Sequence, residues 1–238
     1  MSSIVTKYYN KVFRILIDEH GFKKKSTLFY RLKNDKIVQT ISLFQSNFGH
    51  AFSIEFDLFP ICTGIESVQQ LKGSGLFRIG RFTHDYDYWW EYANPDEEEV
   101  EAMVSETLTI VEDKVLPLFE KVIDEETYRY YVLDLERKFY GAPLDDLIWI
   151  NLKLRNYNEV LKSIEQIEKQ NYDSAAMKKN NYENEEEYHV YLQEIENNLS
   201  GLRSIKAAIQ NKDMFFLESL LRENEEKSKK NLEKLKIF

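Results

Sequence analysis

The sequence predicts an α+β fold: a four-stranded antiparallel meander flanked by two helices, followed by an all-helical C-terminal domain. Three observations predict it. Residues 27–82 hold four short β-rich runs, the clearest with apolar side chains alternating in steps of two, the period of a strand. Apolar residues at helical spacing bracket that stretch on both sides. After about residue 125 only helical signals remain. The expected division is an α+β domain at 1–124 and a helical domain of αα-hairpins at 125–238, and the first is expected to fold alone.

Residues 2–20 read as an amphipathic helix, with Val5, Tyr8, Tyr9, Val12, Ile15 and Leu16 on one side and Gly21 as its stop. Strands follow at 27–33, 36–46 and 52–59, with turns at Asn34-Asp35 and Asn47-Phe48-Gly49. In the third strand Phe52, Ile54, Phe56 and Leu58 face one side and Ser53, Glu55 and Asp57 the other. A half-buried strand is expected there. Residues 60–75 read as a loop, 76–82 as the fourth strand and 83–94 as an aromatic, acidic loop. Asn94-Pro95-Asp96-Glu97 is a helix start, with Asn94 as cap, Pro95 in the first turn and acids at the positive end of the dipole. That helix presents Val100, Met103, Val104, Thr107, Leu108, Val111 and Val115 on one face. Pro117 is expected to kink or break it, because its ring would meet the carbonyl of Asp113. Both helices are placed on one face of the sheet.

Beyond residue 125 two units share a layout. LDDLIWINLKL, a turn at Asn156-Tyr157-Asn158 and a helix form the first. GLRSIKAAI, a turn at Asn211-Lys212-Asp213 and MFFLESLLRENEEK form the second. The layout resembles tetratricopeptide-type hairpins, without the tetratricopeptide signature and with fewer copies than a solenoid needs. Residues 171–187 between them read as a polar linker, and the C-terminal tail as a charged helix prone to fray.

Apolar residues make up 43% and charged residues 31%, a globular composition. The opening MSSIVTKYYNKVF lacks the apolar core of a signal peptide, and no run approaches the ~18 apolar residues of a membrane span. A cytoplasmic protein without membrane association is expected. The single cysteine, Cys62, cannot form an internal disulfide or a thiolate cage, and reads as a small buried hydrophobe. The net charge is −9. Residues 95–126 hold 12 acidic and 2 basic residues, a balance of −10, whereas residues 1–94 hold 12 basic and 9 acidic, a balance of +3. Such a protein is a poor nucleic-acid ligand, but the acidic stretch suits a basic protein partner.

No HExxH, P-loop, GxGxxG or GxSxG pattern occurs. Lys72-Gly73-Ser74-Gly75 reads as a turn before a strand. His84-Asp85-Tyr86-Asp87 comes nearest to a metal-ligand cluster, but Asp and His are ordinary loop residues. No metal or cofactor is expected. Glu55 and Asp57 share a strand face, and paired carboxylates can divide acid and base roles. The plainer reading is a solvated face, or charge pairs with Arg31, Arg78 or Arg81 across strands. Lys23, Lys24, Lys25, Arg31, Lys33 and Lys36 read as protection of an exposed sheet edge. Trp89-Trp90, flanked by Tyr86, Tyr88 and Tyr92, is the most unusual feature. Adjacent residues of an extended chain point to opposite sides, so one Trp can enter the core while the other stays partly open as a partner's anchor. Packing of both between sheet and helix is the plainer reading.

Several short motifs fall in a fixed order: HGFKKKS with FYR soon after, then SLFQSNFG, FSIEFDLF, FRIGRF, DYWWEY and a helix holding LPLF. In these, about residues 1–122 resemble an uncharacterised bacterial family, domain of unknown function 4304. The resemblance implies a bacterial, cytoplasmic protein and transfers no established activity. Some proteins of that family look like immunity proteins of contact-dependent or polymorphic toxin systems. The family's second strand usually carries Gln-Lys-Ser or Gln-Arg-Ser. This chain has Gln45-Ser46 there, without the basic residue, so no role is assigned to that step.

The expected function is that of a non-catalytic protein-interaction protein, with toxin immunity as its most specific form and a basic toxin domain as partner. Partner-binding candidates are Trp89, Trp90, Tyr88, Arg78, Glu98, Glu101 and Glu112. One alternative is a small-ligand binder or enzyme using the polar sheet face (Glu55, Asp57, Arg78). The other is a helical scaffold acting through the C-terminal hairpins.

Overall fold

The computed structural model describes residues 3–47, 50–72, 77–84, 86–92, 96–139, 144–179, 182 and 184–236. The chain is α+β, with a five-stranded antiparallel sheet, flanking helices and a helical C-terminal region. The strands lie in chain order: β1 (Lys23–Lys25), β2 (Leu28–Lys33), β3 (Ile37–Gln45), β4 (Ala51–Pro60) and β5 (Trp90–Glu91). The Asn34-Asp35 turn is present. Both residues take positive φ, and the Lys36 N–H donates to the Lys33 carbonyl. Phe48 and Gly49 of the second expected turn lie outside the described residues.

The strand count differs from four for two reasons. Lys23–Lys25 pair with Leu28–Tyr30 as a short edge strand, made of a residue type that discourages further pairing. The fourth expected strand, 76–82, is absent as such. Leu76 lies outside the described residues, Arg78 makes one bridge to Glu55, and Ile79–Phe82 turn as a 3-10 helix. Gly80 permits that turn, because a Cβ there would stand 2.8 Å from both the Cβ and the carbonyl oxygen of Tyr88. The last strand is instead Trp90–Glu91, inside the stretch expected to be loop, and it pairs with Ala51 and Phe52.

Two helical pieces open the chain, α1 (Ile4–Val12) and α2 (Ile15–Asp18). The Ser3 side chain accepts from the Thr6 N–H at the start. Gly21 has φ +69°, and the Phe22 N–H reaches back to the Leu16 carbonyl, a left-handed stop. Helix α3 (Glu97–Ile110) is capped by Asp96, which accepts from the Glu99 N–H at 2.8 Å. Asn94 and Pro95 lie outside the described residues. A π turn at Val111–Val115 leads into α4 (Leu116–Lys121), with the Leu116 N–H bonded to the Val111 carbonyl. This widened turn is how the helix accommodates Pro117.

Antiparallel register assigns the faces. Phe29, Ile41, Ile54 and Phe56 point to one side and are buried there. Tyr9 of α1 and Phe13 just after it meet Phe29, and Phe119 of α4 meets Phe56. Gln39, buried on this face, donates to the Phe119 and Val122 carbonyls and so satisfies the end of α4. Both helices therefore pack on one face. β4 is not half-buried, however, because its second face is covered as well.

Contacts divide the chain into residues 1–142 with 224–238, and residues 143–223. This departs from the expected boundary at 124/125. Helix α9 (Met214–Glu233) contributes its second half to the first unit. There Leu232 and Leu235 enter a cluster with Leu28, Tyr30, Val38, Phe59, Ile61, Ile65 and Leu71. Ser228 Oγ accepts from the Ile65 N–H at 2.7 Å and donates to the Ile61 carbonyl at 2.7 Å. Asn224 and Asn231 donate to the carbonyls of Cys62 and Ile65. The tail expected to fray is thus part of the front core. Helix α5 (Glu125–Phe139) also belongs to the first unit.

The second unit holds α6 (Leu144–Lys153), α7 (Tyr157–Lys178), α8 (Glu185–Asn211) and the start of α9. Its core gathers Ile148, Leu152, Val160, Ile164, Ile205, Ala208 and Leu217. The second expected turn falls at Lys212, with positive φ, while the first comes earlier than expected, around Arg155 with positive φ, and Tyr157 and Asn158 already open α7. Residues 171–178 of the expected linker are helical, since Ala175 packs against Ile195 and Leu199. Asn184 caps α8. No helix among the described residues is long and apolar enough to cross a membrane.

Candidate functional site

The second sheet face carries a polar row. Ser53, Glu55 and Asp57 of β4 stand opposite Phe44, Ser42 and Thr40 of β3. Thr40, Ser42, Ser53, Glu55 and Asp57 are all buried. The solvated face expected for the carboxylates is therefore absent. The charge-pair alternative holds for Glu55, which takes Arg78 and neither Arg31 nor Arg81 among the described contacts. Ser42 Oγ donates to the Lys72 carbonyl, and Ser53 Oγ has no hydrogen-bond partner among the described residues.

Arg78 is the hub. Its backbone bridges β4 at Glu55, and the Phe56 N–H donates to the neighbouring Phe77 carbonyl at 3.0 Å. Its side chain donates from Nε to Glu55 Oε1 at 3.2 Å and from Nη1 to Asp87 Oδ2 at 2.9 Å. Arg81 Nε donates to the other Asp87 oxygen at 2.6 Å. The Arg78 guanidinium also lies 5.0 Å from the Trp89 ring centroid and 5.3 Å from that of Phe44. Those two rings are 5.5 Å apart. Burial pushes the Glu55 carboxyl above its usual range, and Arg78 pulls it back only in part. The two carboxylates and two guanidiniums balance in formal charge. A covering surface would meet no net charge in this group.

The outer layer is aromatic. Phe44 is 39% exposed and Tyr86 59% exposed, and Trp89 is half-buried. His84 stacks on Tyr88 at 4.1 Å. The two tryptophans part as their alternation requires. Trp90 is buried against Phe52 and donates its indole N–H to Glu106 at 3.2 Å. Its ring belongs to the helical side of the sheet and is not offered to a partner, which corrects its place among the candidates. Trp89 and Arg78 do come together, whereas Tyr88 meets Trp90 edge-on at 5.0 Å and stacks on His84.

Glu98, Glu101 and Glu112 do not join them. They sit on α3 and its π turn, on the helical side. Glu98 is exposed, and Glu101 pairs with Lys11. Part of the acidic stretch is matched by α1, β2 and the turn after β2. Glu97 pairs with Lys7, Glu120 with Arg31 and Lys33, and Glu125 with Lys36. The bond from Lys33, with help from Arg31, lowers the Glu120 carboxyl below its usual range. Arg31, Lys33 and Lys36 thus hold acids of α4 and α5 as well as standing near the sheet edge.

Asp87, the described carboxylate of the His84–Asp87 run, holds two arginines, while Asp85 lies outside the described residues. Among the described residues no three His, Cys, Asp or Glu side chains gather as a metal site. Lys72 closes a 3-10 turn, and Gly73, Ser74 and Gly75 lie outside the described residues. Cys62 is buried. Sequence reasoning missed Phe44. Its signal was present: it is the lone aromatic on the strand face that also holds Thr40 and Ser42.

The fold and the site define the class, an α+β protein with an arginine–aromatic patch at the edge of its sheet. Residues 14–121, from the turn before α2 to the end of α4, match the family model described as Domain of unknown function (DUF4304). No curated protein and no solved structure matches the chain.

Proposed function

We propose that the protein is a non-catalytic interaction protein that meets a protein partner through Phe44 and Trp89 around Arg78. The observation that supports it most is the half-open Trp89–Phe44 pair, fixed from beneath by a guanidinium that two carboxylates already hold. Ordered aromatic side chains with arginine dominate binding hot spots, because little freedom remains to be lost on docking. Toxin immunity is the most specific form of this reading, with a toxin domain encoded beside the gene as partner. The test is a titration of that domain with the parent protein and with Phe44→Ala and Trp89→Ala. A tight one-to-one complex that both variants weaken supports the reading. A neighbourhood without a toxin gene removes toxin immunity, and equal affinity for all three proteins removes the patch.

The buried polar row favours one second reading, a small-ligand binder or enzyme acting through Glu55, Asp57 and Arg78. It rests on the partnerless Ser53 Oγ beside a charged pair. A metabolite screen by thermal shift decides it. A compound that stabilises the parent but not Ser53→Ala would carry it, and the absence of any such compound would remove it.

A further inference from the structure

We infer that Glu55 is the positioning residue of the patch, acting through Arg78 on Phe44 and Trp89. The inference rests on the interface reading above and adds what sets the geometry of that surface. Glu55 is 1% exposed and cannot itself touch a partner. It stands on β4, which pairs with β3 from Phe52 to Pro60, so its carboxylate is fixed by the sheet. Arg78 is the one residue that touches every other part: Glu55 beneath, Asp87 beside, and the Phe44 and Trp89 rings outside.

A long arginine side chain left with Asp87 alone would keep several rotamers, because Asp87 lies in an irregular segment with no strand to fix it. The Glu55 bond reduces that freedom. It fixes the guanidinium plane, and the plane fixes the two rings that stack on it. A carboxylate buried only to fill space would be replaced without loss by an apolar side chain of similar volume. The geometry points to a different outcome here, because the loss would appear at the surface rings.

The test reads the full-length protein without a partner. Incorporate 5-fluorotryptophan and record the fluorine resonances of Trp89, Trp90 and Trp149, assigned by single Trp→Phe substitutions. Glu55→Leu should shift and broaden the Trp89 resonance and leave the Trp149 resonance in place. Glu55→Gln keeps an acceptor for Arg78 Nε and should restore the parent Trp89 position. Arg78→Met, altered at a side chain nearer the surface, should reproduce the Glu55→Leu spectrum. A Trp89 resonance unmoved in a folded Glu55→Leu protein would overturn the inference. If Glu55→Leu does not fold, Glu55→Ala is read in its place by the same criteria. Partner affinity is then measured separately and should fall roughly tenfold or more in Glu55→Leu and Arg78→Met. A shifted Trp89 resonance with unchanged affinity would leave the positioning role standing and remove the interface reading instead.

Discussion

Burial raises the proton affinity of the Glu55 carboxylate, and this has a consequence for stability. The charged groups facing it are Arg78 and, beyond it, Asp87, with Asp57 two residues along the same strand face. Between the unfolded value, ~4.3, and the raised folded value, the folded protein binds more protons than the unfolded chain. The stability owed to Glu55 therefore falls as pH rises through that window and stays lost above it. Glu55→Gln removes the slope. Urea unfolding across the window should show the variant gaining on the parent as pH rises, then a constant difference. A parent that gains on the variant instead would mean that Arg78 outweighs burial. Gly80 makes a second test at this scale. Gly80→Ala places a methyl group against Tyr88 and should cost about 1–3 kcal/mol by thermal unfolding, as overpacking does. Neither the contact of Arg78 with Glu55 nor that of Gly80 with Tyr88 could be read from the sequence with its geometry. Alternation places Glu55 on a polar face but does not say that distant residues will cover it.

Elements with local signals were legible. Gly21 ends α2, Asn34-Asp35 turns β2 into β3, and the acid-rich start of α3 stands where the sequence puts it, with Asp96 as its cap. Elements that depend on distant partners were not. The tail from Asn224 reads as a charged helix, because Glu and Lys outnumber its stripe of Asn224, Ser228, Asn231, Leu232 and Leu235. Nothing local reveals that this stripe supplies hydrogen bonds to residues 61–65 and fills the sheet face. Leu232→Ala should cost about 2–5 kcal/mol in chemical unfolding, as large-to-small core changes do. Ser228→Ala should cost about 1–3 kcal/mol, since it leaves the Ile65 N–H and the Ile61 carbonyl without that partner. A fragment of residues 1–124 lacks this stripe, so it should melt broadly and without cooperativity. A sharp transition in that fragment, or near-neutral values for both substitutions, would show that the tail is dispensable.

At the scale of the whole molecule, the charge of residues 95–126 shapes what a partner meets. Lys7, Lys11, Arg31, Lys33 and Lys36 already neutralise part of it within the front unit. Neutralising Glu98, Glu101 and Glu112 together should therefore lower the association rate with a basic partner only modestly, and mainly at low salt. Trp89→Ala should act on dissociation. The most direct measurement is surface plasmon resonance of the proposed partner, a toxin domain encoded beside the gene, over the parent, Trp89→Ala and the triple Glu→Gln protein. An arginine–aromatic interface predicts a dissociation rate roughly tenfold or more faster for Trp89→Ala, with the triple variant close to the parent at physiological salt. Parent-like dissociation from Trp89→Ala, together with a collapse of association in the triple variant, would contradict it and move the interface to the acidic helix.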